Sequence, residues 1–188
     1  MNALDLLIAD HNRLRGLFAQ FRQGREEKDA GAMVEVARRI FDDLRVHSAI
    51  EEEIFYPGVR DASDEVESTV DEGLQEHHVV KVLMDELGGI DDGSDEWVAK
   101  MKVLIENVEH HAGEEESDLF PPLRNPLREE LAAMAPLMDA RKKELGAPTI
   151  ADKIDLTTAA LMELAREQSI PGRSSMTHEE LAATVALV

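Results

Sequence analysis

His47-Ser48-Ala49-Ile50-Glu51-Glu52-Glu53-Ile54-Phe55-Tyr56-Pro57 recurs in outline as His111-Ala112-Gly113-Glu114-Glu115-Glu116-Ser117-Asp118-Leu119-Phe120-Pro121. Both stretches hold His-x-x-x-Glu, and in both a proline follows the histidine by ten residues. On an α-helix a residue and its fourth neighbour share one face. Upstream of each stretch stands a lone histidine behind a carboxylate, Asp10-His11 and Glu76-His77. The offset between the copies is 66 residues for the lone histidine and 64 for the pair. One half-site of imidazole and carboxylate is therefore written twice, each time over two consecutive helices.

Helical periodicity supplies those helices. Leu4, Leu7, His11, Leu14, Phe18 and Phe21 line one face of a first segment, and Val36, Ile40, Leu44, His47, Glu51 and Ile54 one face of a second. The second is predicted to run from about residue 30 to a stop at Pro57-Gly58. Val70, Leu74, His77, Val80, Met84 and Leu87 mark a third segment, closed by Gly88-Gly89. Trp97, Met101, Leu104, Val108, His111 and Glu115 mark a fourth, closed by Pro121-Pro122. Short connections make neighbours antiparallel, so the expected fold is all-α, an up-down-up-down four-helix bundle with additional C-terminal helices.

Each helical residue advances about 100°. Measured from His77, Val70, Leu74, Val80 and Met84 all lie within about 60°, whereas His78 falls at the margin of that stripe. His111 shares its face with Trp97, Leu104 and Glu115, and His110 lies about 100° away. The same geometry selects Glu51 over Glu52 and Glu53 as the inward partner of His47. Six polar side chains in one apolar interior would each cost about 1–3 kcal/mol if unpaired, and a bound metal satisfies all of them.

The ligand chemistry follows from composition. No cysteine is present, which leaves imidazole and carboxylate as the strong donors. Four imidazoles and two carboxylates exceed one tetrahedral zinc and are too nitrogen-rich for magnesium or calcium. They suit two metals, with Glu51 and Glu115 as bridges. An oxo or hydroxo bridge would bring each metal to five donors, leaving one octahedral position for a small oxidant such as dioxygen, peroxide or nitric oxide. Iron is the favoured metal, and manganese or a mixed pair is compatible with these ligand types.

These motifs resemble the hemerythrin-like, HHE cation-binding family over roughly residues 1 to 145. The resemblance implies a non-heme di-iron centre held by His11, His47, Glu51, His77, His111 and Glu115, within a hemerythrin-like bundle. The chain departs from the oxygen-carrying hemerythrins, whose third helix carries His-x-x-x-His and whose fourth carries His-x4-Asp. Here Gly73 and Lys81 flank His77 at four residues, and Glu116 lies five after His111. The two-copy pattern is similar to branches associated with iron–sulfur repair, iron or oxygen sensing, and peroxide or nitric oxide chemistry.

Several residues have a second reading. Asp43 and Asn107, one turn before His47 and His111, are expected either to orient those imidazoles or to be ordinary polar edge residues. Tyr56, the only tyrosine, lies about 180° from His47 on an ideal helix and is expected to pack at a helix end. Arg15 and Lys81 follow the lone histidines by four; they are expected to snorkel at the bundle edge, or else to line a mouth for anions. The methionines read as core filler.

Residues 1–145 are expected to form the bundle and a trailing fifth helix, opened at Asn125-Pro126 and bent or restarted at Pro136. Residues 146–153 read as a linker and 154–188 as a small helical appendage, with His178 in solvent. The appendage resembles the helix-extended-loop-helix modules related to the N-terminal motif of the Rho termination factor. From residue 146 onward, however, three basic residues (Lys153, Arg166, Arg173) face six acidic ones. Together with a net charge of −20 over the chain, this argues against nucleic acid and for a protein partner of residues 154–188 or packing on the bundle. With no signal peptide and no apolar run long enough to span a bilayer, a cytoplasmic protein without membrane attachment is expected.

Overall fold

The computed structural model describes residues 2–62, 66–147, 158–167, 170, 172–177 and 181. The elements are α1 (Ala3–Glu27), α2 (Ala30–Ile50), α3 (Tyr56–Ala62), α4 (Glu67–Leu87), α5 (Asp95–Glu114), α6 (Phe120–Arg124), α7 (Arg128–Glu144) and α8 (Thr158–Glu167). A π-helical turn, Glu51–Phe55, joins α2 to α3, and a second, Glu115–Leu119, joins α5 to α6. No strand occurs among the described residues, and no described helix is long and apolar enough to cross a membrane.

Local chemistry places the helix starts. Asn2 and Asp5 form a reciprocal capping box on α1, the Asp29 side chain accepts from the Ala32 N–H on α2, and the Ser94 Oγ accepts from the Trp97 N–H on α5. Lys28, at φ 57°, makes the left-handed turn that reverses the chain between α1 and α2. Helices α1, α2, α4 and α5 then run alternately up and down as the four-helix bundle.

The second and fourth segments do not stop at their prolines. Pro57 and Pro121 cannot donate the bond that would continue an α-helix. Instead the Tyr56 N–H bonds to the Glu51 carbonyl and the Phe120 N–H to the Glu115 carbonyl, each five residues back. The widened turn carries the chain past the proline into α3 and α6. At Asn125-Pro126 the chain makes a turn, and α7 starts later, at Arg128. It continues through Pro136 to Glu144, and Ala132, whose carbonyl loses its partner to the proline, is an exposed residue.

The apolar core is divided into two layers. Leu14, Phe18, Phe21, Ile40, Trp97 and Leu104 belong to one; Leu7, Ile50, Phe55, Val70, Phe120 and Leu131, the last from α7, to the other. The polar residues of the repeated motif fill the space between them. Helix α8 packs against α1, and its Leu161 and Ala165, with Ile170 and Leu181, join the first layer. Most of the expected linker, His178, and most of the helix expected after it lie outside the described residues.

Candidate metal centre

All six residues of the repeated motif meet in the interior. His11, His47, Glu51, His77, His111 and Glu115 are buried, Glu51 with 0% of its surface exposed. His11 on α1 faces His47 on α2 with Nε2 atoms 3.2 Å apart, and His77 on α4 faces His111 on α5 at 3.1 Å. The carboxylates cross between the pairs. Glu51 Oε2 lies 3.2 Å from both His47 Nε2 and His77 Nε2. Glu115 Oε2 lies 3.3 Å from His11 Nε2 and 3.7 Å from His111 Nε2. The π-helical turns begin at these two glutamates, so the widened backbone starts where a donor must lean into the bundle.

A ring of carboxylates stands behind the histidines. Glu116 lies 2.8 Å from His11 Nδ1, Glu52 2.8 Å from His77 Nδ1, and Glu76 2.7 Å from His111 Nδ1. Asp10 is more distant, 3.8 Å from His47 Nδ1, and pairs with Lys142 of α7. With Nδ1 as the donor to its carboxylate, each of His11, His77 and His111 turns the lone pair of Nε2 inward, whereas His47 Nδ1 is buried without a hydrogen-bond partner. The Nε2 atoms of all four histidines and the inner carboxylate oxygens converge on the same interior space. Both oxygens of Glu51 and Oε2 of Glu115 are buried without a hydrogen-bond partner. A convergence of unpartnered lone pairs is unfavourable unless a cation lies among them, and nitrogen with carboxylate oxygen is a transition-metal donor set. The residues therefore fit a metal site.

The donors sort into two groups sharing Glu51. His11, His47, Glu51 and Glu115 each offer an atom within 4.8 Å of the others, and Glu51, His77 and His111 do the same. Glu76, His110 and Glu114 form another grouping, half-buried to exposed, in which Glu76 already serves His111.

Without a cation, the site holds its charge unevenly. Burial opposes protonation of His11, but bonds to Glu115 and Glu116 outweigh it and raise the imidazole to about 9. His47 falls to about 4, chiefly through burial, with the charge of His11 acting in the same direction. Burial and the neighbouring Glu115 push Glu51 well above the carboxylate range; burial also acts on Glu115, but His11 and the other imidazoles hold it low, at about 2. Metal uptake must therefore expel protons, notably from His11 and Glu51.

The structure reassigns several neighbours. Asp43 pairs with Arg13 at 2.6 Å, and the Asn107 side chain donates to the Val103 carbonyl, so neither orients a histidine. The residues that do so are Glu76, Glu52 and Glu116, while Asp10 stands 3.8 Å from His47 and bonds Lys142 instead. Each is adjacent in sequence to an inner donor, and adjacency on a helix brings a side chain to the flank of the neighbouring helix's imidazole. Tyr56 is not merely helix-end packing. Its hydroxyl donates to Glu115 Oε1 at 3.0 Å, and its ring centre lies 5.6 Å from that of His77. The π-helical turn inserts a residue, which winds Tyr56 back toward the interior by about 100° relative to an ideal helix. Gly73 leaves the space for it, since a Cβ there would stand 2.9 Å from the Tyr56 hydroxyl. Arg15 and Lys81 lie on Glu116 and Glu52, which anchor His11 and His77.

A protein described as DNA nickase, from Nostoc sp. (strain PCC 7120 / SAG 25.82 / UTEX 2576), is 32% identical over 130 residues, which is 69% of this chain and 36% of that protein. The chain thus spans little more than a third of the length of that relative. No solved structure matches. The hemerythrin HHE cation-binding domain matches residues 2–123, which include both copies of the motif and all six inward donors, and the chain belongs to that family.

Proposed function

We propose that the chain holds two iron ions, which His11, His47, Glu51, His77, His111 and Glu115 would hold with the two glutamates as the donors shared between them, and that it binds and reacts with a small oxidant: peroxide, nitric oxide or dioxygen. The carrying observation is the crossed arrangement, in which each carboxylate spans a histidine of one pair and a histidine of the other. Bound iron would supply redox capacity and a vacant coordination position. The protein's part is to fix three of the four imidazoles by their outer carboxylates and to enclose the centre between two apolar layers. Tyr56 holds a proton at Glu115 Oε1; burial and the nearby carboxylates raise its hydroxyl far above the usual phenol range, so it remains a donor. Elemental analysis and an ultraviolet–visible spectrum before and after peroxide test the reading. About two irons per chain and a peroxide-dependent absorption change are expected; a spectrum indifferent to peroxide, nitric oxide and dioxygen would sink it.

A second reading, an iron or oxygen sensor signalling through its C-terminal tail, is favoured by the packing of Leu161 and Ala165 of α8 in the layer that contains Leu14 and Phe18 of α1. Helix α1 also carries His11. Iron-dependent protease sensitivity of the tail is its expected signature, and a tail indifferent to iron argues against it. The nicking named for the Nostoc relative is not proposed for this chain, since a net charge of −20 repels a phosphate backbone.

A further inference from the structure

The two halves of the site repeat in sequence, but their outer walls differ. On the α1/α5 side, Arg15 forks onto both oxygens of Glu116 at 2.9 and 3.0 Å and is 24% exposed. Arg22 ties the same two helices further along through both oxygens of Glu109. Phe18, 1% exposed, fills the adjoining wall. On the α2/α4 side the repeat-related residues are Lys81, Gly88, Arg45 and Met84. Lys81 reaches Glu52 at 2.6 and 2.7 Å but is 52% exposed, and Arg45 turns back to Asp42 on its own helix. Met84 is only half-buried.

That looser wall encloses a cavity of about 240 Å³, walled by Leu44, Ser48, Ala49, Val80 and Met84 and reaching Glu52 and Lys81. Glu52 is itself 2.8 Å from His77 Nδ1, so one side chain separates the cavity from the donor cluster. A lysine held by one carboxylate and a methionine with three rotatable bonds yield more readily than an arginine fork and a packed phenylalanine. We infer that the α2/α4 groove is the route by which a small uncharged molecule reaches the metal centre, with Lys81 and Met84 as its yielding cover. Glu52, Glu53 and Asp85 stand against Arg45 and Lys81 along it, a balance that favours neutral species over anions.

The inference rests on the di-iron reading, and the test separates the two. Association and dissociation of nitric oxide are followed by stopped-flow absorbance on the full iron-loaded chain, with iron content measured in parallel. Ala49→Trp fills the groove; Gly113→Trp is its repeat-related control on the α1/α5 side, where nothing lies within 4 Å of the added Cβ. Ala49→Trp is expected to slow association and dissociation by about tenfold each, leaving their ratio and the iron content unchanged, because a route alters rates and not the end states. Gly113→Trp should leave both rates within about twofold. Met84→Trp, on the opposite wall, carries the same expectation and replaces Ala49→Trp if that variant fails to fold. Unchanged rates in the groove variant, or equal slowing by Gly113→Trp, would overturn the route; a wild-type chain that takes up no iron would instead overturn the di-iron reading.

Discussion

Glu51 is the residue at which folding and binding conflict. Its carboxylate is buried, faces Glu115, and has no hydrogen-bond partner on either oxygen, so the metal-free protein carries an unsatisfied group of about 1–3 kcal/mol. Glu51→Gln should therefore raise the melting temperature of the metal-free protein while abolishing the further rise expected on adding metal. Calorimetry with and without iron reads both effects, and a fall in metal-free stability would contradict this account. Tyr56 and Gly73 form a second coupled pair. Gly73→Ala forces its Cβ against the Tyr56 hydroxyl, at an expected cost of about 1–3 kcal/mol. Tyr56→Phe removes the obstructing oxygen and one hydrogen bond, at about 1 kcal/mol. Denaturant melts of the double variant should show less than the sum of the single losses, since the clash needs both groups. Neither relation was legible in the sequence. Tyr56 turns inward only because of a π-helical turn, which ideal angular spacing does not anticipate, and a glycine's value as empty space is visible only once its neighbour is placed.

The four long helices, and the inward choice of Glu51 over Glu52 and of His111 over His110, were legible because their apolar spacing holds one period over five turns or more. Their ends were not. Pro57 and Pro121 read as terminators by the loss of a donor, yet a five-residue hydrogen bond bypasses each one. The outer carboxylates escaped for a related reason: Glu52 and Glu116 lie off the apolar stripe of their own helices, and only the packing of the neighbouring helix gives them an imidazole. Helix α7 contributes in the same way across 132 positions, where Lys142 pairs with Asp10 behind His47. That pair is largely buried, whereas the adjacent Arg141–Glu53 pair is a third to a half exposed. Lys142→Met should cost about 3–5 kcal/mol by leaving Asp10 buried and uncompensated, and Arg141→Ala far less, because its pair is screened by solvent. Urea denaturation of the two variants measures the contrast, and equal losses would refute it.

For the whole molecule, the uneven protonation of the empty site sets a pH profile. His11 is raised from 6.5 to about 9, so its contribution to the metal-free fold is complete below pH 6.5 and lost as pH rises through 9. Glu52 is lowered to about 2, first by its bond to His77 and then by Lys81, with burial opposing them, so its contribution is present above 4.5 and lost as pH falls through 2. Asp10 and Glu115, also lowered, act in the same direction on the acid side. Thermal melts of metal-free protein should thus decline between pH 6.5 and 9, and His11→Gln should flatten that decline. Iron uptake, which displaces the same protons, should strengthen over the same interval.

The six donors span the chain from residue 11 to residue 115 in a protein without cysteine. An ion held among them is a cross-link in a chain that can form no disulfide, and it closes loops as long as the bundle itself. Unlike a disulfide, it is withdrawn by competition for the ion, so the lifetime of the folded chain is tied to the metal supply around it.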